Sequence, residues 1–501
     1  MYGEIGSVFR HALVYGAASL TTSLIGFLMI PVYTRYLSPA DYGVLELLQL
    51  ASNVISIIMA IGFSGAVLRF YFQHDSEDDR REVVSTALIA ILTLGVGATL
   101  LLLTQTAWLA RVVLGKPDYG RLVAVMVLAN FFAITLIVPL AYLRALRRSG
   151  LYAGVMLGRL VLGLTLNIVF VVVLRMSVLG VLLSGLIVAF VSSVGLVGGT
   201  LRSVGLKLSR AKFDEMAAYG GPLVPASLSM FVLHFADRFF LQRMTDLNQV
   251  GLYALGYRFA MMLPVLVIEP FALIWGAAMF VIARREDARE VCARLFTYFF
   301  FVATAFALGV SLVIKDTIKV VATPKFLAAH SVVPVVLVGL LCLAASQFFE
   351  TGVHLSKRTI FRAAAVGSAA AINLLLNVLL IPKYGMMGAA WATLFSFAAL
   401  AVMSYVFGQR LYHIPYEFPR LAKLVAAAAL IYWASTWLRI ESVAASTAAR
   451  TGLLALYPGL LYVLGFYQQD ELRKAMRAGR VAAVSLWRRV WHVKRVSESA
   501  P

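Results

Sequence analysis

Long apolar runs alternate with short polar breaks from one end of the chain to the other. About 20 predominantly apolar residues cross the hydrocarbon core of a bilayer as a helix, and fourteen runs of that kind can be read. They lie near 11–33, 43–68, 83–105, 121–142, 151–174, 178–200, 219–241, 250–280, 291–314, 331–353, 361–381, 386–408, 421–438 and 445–467. The breaks are short, none longer than roughly 20 residues. The pattern predicts an all-α, polytopic membrane protein. The first run is too long for a signal-peptide core and no small-residue cleavage site follows it, so it is expected to stay in place as a helix.

Composition agrees with the pattern: of 501 residues, 61% are hydrophobic and 14% charged, too apolar for a soluble chain of this length. Charge then sets an orientation, because cationic loops near span ends resist translocation. With the N-terminus cytoplasmic, 29 Lys and Arg fall inside and 13 outside, leaving Arg159 and Arg258 within spans. Both termini are therefore expected to be cytoplasmic. The net charge of +20 reports topology, and nothing in its spacing points to nucleic acid.

A repeat organises the chain. "VYGAASL…PVYTRYL…DYGVLELL" in the first two runs is echoed about 200 residues later by "AYGGPLVPASL…ADRFFL…VGLYALGYR". Tyr15-Gly16 matches Tyr219-Gly220, Arg35 matches Arg238 and Gly43 matches Gly251. Six spans separate the copies, so both have one orientation, and parallel repeats of this type place a transport path between the halves. The expected organisation is a six-helix bundle over 1–205, a second over 206–412, two helices over 413–470 and a basic amphipathic tail over 471–501. In that tail Trp487 and Trp491 stand four apart among arginines, a pattern suited to an anionic leaflet. Asp75 or Ser76 is a candidate cap for the helix that follows "HDSEDDRRE".

Candidate chemistry lies in charges that hydrocarbon should exclude, each costing about 2.5–3.5 kcal/mol at a helix centre on insertion scales. Arg159 and Arg258 each sit some 12 Å into a span at about 1.5 Å per residue, too deep to snorkel easily. Facing a gap between the halves, they would hold a diphosphate by paired charge-assisted bonds; otherwise each is a structural ion pair or a cap for carbonyls. Glu46, Gln49 and Asn53 share one helical face, as do Gln347, Glu350 and His354, while Asn373 and Asn377 are one turn apart. These stripes either line a wet path or glue helices together. "HFADRFFL" puts His234 on one face with Asp237 and with Arg238 near the outer end of its span. His234 and Asp237 are candidates for proton coupling, with Glu269, placed just before Pro270, beside them. The structural alternative makes this segment an interface anchor, Arg238 being the counterpart of Arg35. Cys292 and Cys342 have no disulfide or metal spacing, and there is no GxxxxGK[ST] nucleotide signature, so neither a metal nor another cofactor is expected.

"YGAASLTTSLIGFLMIPVYTRYLSPADYGVLELL", "LRFYFQHDSEDDRREVVSTAL" and "FADRFFLQR…VGLYALGYRFA" resemble the Wzx-like polysaccharide transporter family of the multidrug/oligosaccharidyl-lipid/polysaccharide exporter (MOP) superfamily. The resemblance implies twelve to fourteen helices in two six-helix bundles. It also implies a flippase of the bacterial cytoplasmic membrane that moves polyprenyl-diphosphate-linked oligosaccharides by alternating access, for O-antigen, capsule or exopolysaccharide assembly. The implied partners are that lipid-linked substrate, membrane lipids, and a glycan polymerase with other polysaccharide-assembly proteins. A multidrug or other small-molecule antiporter and a peptidoglycan-precursor flippase are the alternatives. A membrane glycan polymerase or ligase is a further one, for which the short outer loops offer no catalytic constellation.

Overall fold

Capping and backbone breaks, more than apolar content, decide where these helices start and stop. A computed structural model describes residues 27–60, 62–438, 440–469 and 471. Most of the expected first span, the Tyr15-Gly16 landmark and the tail carrying Trp487 and Trp491 lie outside those residues. Among the described residues the structure is helical and has no strand.

The helices run α1 (Ile30–Tyr36), α2 (Pro39–Ala60), α3 (Phe63–Gln73), α4 (Glu77–Thr104), α5 (Thr106–Leu114), α6 (Gly120–Thr135), α7 (Ile137–Ala145), α8 (Ser149–Asn167), α9 (Ser177–Val204) and α10 (Arg210–Gly220). They continue with α11 (Leu223–Met244), α12 (Leu247–Ala260), α13 (Glu269–Ile282), α14 (Ala288–Val321), α15 (Val332–Phe349), α16 (Thr351–Leu355), α17 (Ile360–Leu411), α18 (Phe418–Thr436) and α19 (Val443–Val463). Among the described residues ten helical stretches are long and apolar enough to cross a membrane, and the chain is a multi-pass membrane protein. α17 covers two expected spans: a non-helical Gly385 (φ 54°) interrupts it. A Cβ on Gly388 would collide with the Leu380 carbonyl eight residues earlier. No straight helix permits that at about 1.5 Å per residue, so the chain folds back at Gly385 into two helices. Gln249 Oε1 accepts from Met386 N at 2.9 Å and so caps the second of them. The thirteenth and fourteenth expected spans correspond to α18 and α19.

Both members of the repeated landmark are capped helix starts. Ser38 and Asp41 form a reciprocal capping box at the head of α2: Asp41 N donates to Ser38 Oγ at 3.1 Å, and Ser38 N to Asp41 Oδ2 at 3.0 Å. Asp246 caps α12, accepting from Gln249 N at 2.8 Å. Between the two caps, Gly43 and Gly251 allow the backbones to touch. A Cβ on Gly43 would strike the Leu247 carbonyl, and one on Gly251 the Pro39 carbonyl. The matched glycines thus face each other where α2 crosses α12, the close backbone approach that small residues permit between membrane helices. Ser76 takes the N-cap position of α4 but its side chain makes no cap bond; Glu77, Asp78 and Asp79 supply negative charge to that first turn instead.

By packing the described residues form two units, those within 1–286 and 314–414 and those within 287–313 and 415–501. In the first, one apolar core joins Phe63, Val84, Leu88, Val138, Tyr142 and Met216 from α3, α4, α7 and α10. Outward residues are apolar too: Leu273 is 80% exposed and Val281 70%, as a lipid-facing surface requires. In the second unit Arg420 is 8% exposed and each of its three guanidinium nitrogens is bonded. It donates to the Phe466 carbonyl at 3.0 Å, to Glu417 Oε2 at 2.9 Å and to Glu471 Oε2 at 2.8 Å. Cys292 and Cys342 are free thiols.

Candidate functional site

A cavity of about 440 Å³ opens within the first unit, and both intramembrane arginines reach it. Arg159 comes from the middle of α8 and Arg258 from the end of α12, on opposite sides of the sequence repeat. Among the described residues neither guanidinium has a hydrogen bond or an ion pair. Arg258 lies over the Tyr42 ring at 5.8 Å, a weak cation–π contact that leaves its N–H donors free. Glu46 and Gln49 of α2 line the same cavity. The i, i+3, i+7 stripe does share a face, but Asn53 at its end belongs to a neighbouring space. Gln49 Nε2 donates to Asn53 Oδ1 at 3.2 Å, holding the two side chains together.

Several polar residues of the cavity wall were not singled out from the sequence. Tyr33 donates to Asn167 Oδ1 at 2.9 Å, and Asn167 Nδ2 donates to the Gly163 carbonyl and to Ser184 Oγ at 2.8 and 2.9 Å. Asn167 ends α8 and leads into a π-helical turn, Ile168–Val173; such turns often mark functional positions. Asn130 is 3% exposed and its Oδ1 accepts from both Ser52 at 2.9 Å and Ser56 at 2.7 Å. A lone Asn or Tyr in an apolar run was the only available signal, and such residues more often serve as interhelical glue. The arrangement as a whole presents two free cationic forks, one carboxylate and a wall of amides and hydroxyls to a single space.

The opposite design surrounds Arg238. It is 1% exposed, so its expected role as an outer-interface anchor is corrected: α11 runs on to Met244 and carries Arg238 into packed protein. Arg35, its partner in the repeat, is exposed, so the two do not share an environment. Arg238 Nη1 donates to Asp237 Oδ1 at 2.7 Å and to the His234 carbonyl at 2.8 Å. Its guanidinium lies over the Tyr257 ring at 4.0 Å and the Tyr253 ring at 5.0 Å. The other Asp237 oxygen accepts from Tyr253 at 2.5 Å and from Thr393 at 3.3 Å. Glu46 Oε1 lies 3.7 Å from Arg238 Nε, an ion pair longer than a hydrogen bond, and links this cluster to the cavity wall.

The remaining candidates are dispersed. The Asp237 carboxylate is engaged as above, while the half-buried His234 ring packs against Phe397 at 5.3 Å and borders a second cavity. Glu269 is exposed. Its N–H reaches the Pro264 carbonyl five residues back, so a π turn, Pro264–Ile268, re-routes the backbone ladder ahead of Pro270. Asn373 and Asn377 are buried and line neither cavity; Asn377 Nδ2 donates to Asn373 Oδ1 at 2.9 Å. Gln347 is exposed, and Glu350 is tied by Arg362 at 3.1 Å and His354 at 3.7 Å, an inter-helix clasp. Among the described residues no three His, Cys, Asp or Glu converge as a metal site would need.

Comparisons with known proteins place this geometry. A family profile described as "Polysaccharide biosynthesis protein" matches residues 8–275. Lsg locus putative protein 1 of Haemophilus influenzae is 23% identical over 266 residues, 52% of this chain; the chain spans 63% of that relative's length. Among solved structures, the lipid II flippase MurJ in an inward closed conformation superposes with a TM-score of 0.74 at 10% identity. That match covers 90% of this chain and 99% of MurJ. An inward-facing multidrug resistance MATE family transporter of the MOP superfamily superposes with a TM-score of 0.58 at 17% identity, covering 81% and 96%. At these identities the likeness is one of fold.

Proposed function

The chain belongs to the polysaccharide biosynthesis protein family, and from that premise we propose that it is a flippase for a polyprenyl-diphosphate-linked oligosaccharide. One observation carries the reading: Arg159 and Arg258, unpaired among the described residues, converge on one 440 Å³ cavity. Two guanidinium forks offer the planar, doubly donating geometry that phosphate oxygens accept. Removing such cations from water without a partner is costly, so a dianionic headgroup is the ligand that resolves the arrangement. The prenyl tail would stay in the bilayer while the headgroup passes between the halves, and α2 crossing α12 at Gly43 and Gly251 gives those halves a pivot. In this reading both termini face the cytoplasm, the substrate is loaded from the inner leaflet of the bacterial cytoplasmic membrane, and the protein performs no covalent chemistry.

The multidrug alternative needs a cavity that welcomes organic cations. Here the carboxylate on the wall, Glu46, is already drawn toward Arg238 at 3.7 Å, and two arginines outweigh it. A peptidoglycan precursor carries the same diphosphate, so the charge argument admits it too. The test is deletion of the gene followed by analysis of lipid-linked intermediates. Accumulation of a diphospholipid oligosaccharide on the inner leaflet, restored to normal by the wild-type gene and not by Arg258→Ala, is the expected result. Unchanged intermediates after deletion would refute the proposal, and accumulation of the peptidoglycan precursor would move the substrate to that class.

A further inference from the structure

The second cavity, of about 360 Å³, lies between α2 and α11, next along α2 from the arginine cavity. Gln49 on the first wall donates to Asn53 on the second. Ser52 on the first and Ser56 on the second donate to the same Asn130 oxygen. One face of α2 thus lines both spaces in succession.

Their chemistry differs. The described lining of the second space contains no Asp, Glu, Lys or Arg. Asn53 Nδ2, Ser227 Oγ and the His234 imidazole border it with no hydrogen bond among the described residues. Beside them stand the rings of Phe231 and Phe235, centroids 5.3 Å apart and inclined at 41°. A sugar ring has this same division: hydroxyls around its rim, which need donors and acceptors, and a face of C–H bonds, which packs on aromatic rings. A prenyl chain would instead leave the amide, the hydroxyl and the imidazole without partners, which costs free energy wherever it displaces water from them.

We propose that this compartment receives an uncharged sugar residue adjoining the diphosphate, so that headgroup recognition is divided between a cationic and a neutral space. The inference rests on the diphosphate reading of the arginine cavity. It assigns Asn53, Ser227 and His234 to sugar hydroxyls and Phe231 and Phe235 to the ring face.

The test measures binding to the purified full-length protein in nanodiscs with two probes: a short-chain polyprenyl diphosphate, and the same lipid bearing one glucose. The wild type is expected to hold the glucosyl probe about tenfold more tightly, the equivalent of one or two net hydrogen bonds. Ser227→Leu, which narrows the compartment and removes the hydroxyl, should erase that advantage and leave the bare probe's affinity in place. Ser227→Ala, a smaller change that carries the test if Ser227→Leu does not fold, should reduce the advantage by a few fold. Equal wild-type affinity for the two probes would overturn the proposal, as would an advantage that survives both substitutions. Weaker binding of the bare probe to Ser227→Leu, growing with prenyl length, would make the space a lipid slot and overturn it as well. If the wild type binds neither probe, it is the diphosphate reading that falls.

Discussion

Arg238 and Arg258 lie twenty residues apart on consecutive helices, both in apolar surroundings, and the structure uses them in opposite ways. Arg238 is enclosed: a carboxylate, a carbonyl and two tyrosine rings surround it, and it is 1% exposed. Arg258 borders a cavity with Arg159, Tyr33 and Glu46; among the described residues its guanidinium lies over the Tyr42 ring at 5.8 Å and has no hydrogen bond or ion pair. A buried charge with partners supplied by its own chain holds helices together; a buried charge without them is available to a ligand. Position within a span does not by itself separate a structural charge from a candidate site in this protein. Partnership does.

The sharpest way to break this comparison is to remove the enclosed arginine. Arg238→Ala would leave the buried Asp237 carboxylate without its cation, held only by neutral donors such as Tyr253 and Thr393. Breaking a buried pair in this way typically costs about 3–5 kcal/mol. The expected outcome is loss of folded protein from membranes, read by fluorescence-detected size exclusion. Asp237→Asn combined with Arg238→Met should recover much of the folded fraction, because replacing both charges removes the stranded one. If Arg238→Ala folds normally and loses only transport, the enclosed arginine would belong to the site.

Arg258→Ala should do the reverse. Folded protein is retained, and flipping in proteoliposomes falls by roughly ten- to a hundredfold, the range expected for lost charge-assisted bonds worth about 1.5–3 kcal/mol. Arg258→Lys is expected to restore only part, since an ammonium lacks the planar fork. A smaller effect is expected at Glu46, which touches both regions: 3.7 Å from Arg238 and on the cavity wall. Removing its charge with Glu46→Gln should tighten binding of a bare lipid diphosphate a few fold, by less than about 1 kcal/mol; weakened binding would mean Glu46 orients the ligand. The smallest change concerns His234. If it couples proton entry to transport, His234→Ala alters the pH profile of flipping with little loss of rate at its optimum. An unchanged profile would remove the coupling role and leave His234 to the sugar contact proposed above.

How much of this could be read from the chain follows from the range of each interaction. Run length and period are local, so the spans from 43–68 to 386–408 map onto described helices, and the fold back at Gly385 fell where the apolar pattern paused. Arg159 and Arg258 were legible for a related reason: an unpaired guanidinium in a span must face water or a partner. Arg238 was misplaced because its distance from a presumed helix end was the only guide. Its enclosure depends on Tyr253 and Thr393, and Thr393 comes from a helix more than 150 residues later. The repeat supplied Gly43 and Gly251 as counterparts, but that they touch is a property of the crossing. Asn130, Tyr33 and Asn167 were invisible as a group, since only tertiary packing brings single polar residues of separate spans to one wall.

The most direct test of the central claim is titration of a short-chain polyprenyl diphosphate, and of the matching monophosphate, into purified wild type and the Arg159→Ala/Arg258→Ala double variant. The account expects the wild type to favour the diphosphate. It expects the double variant to lose that preference while its melting temperature stays near that of the wild type. A double variant that still binds the diphosphate as tightly as the wild type would contradict it.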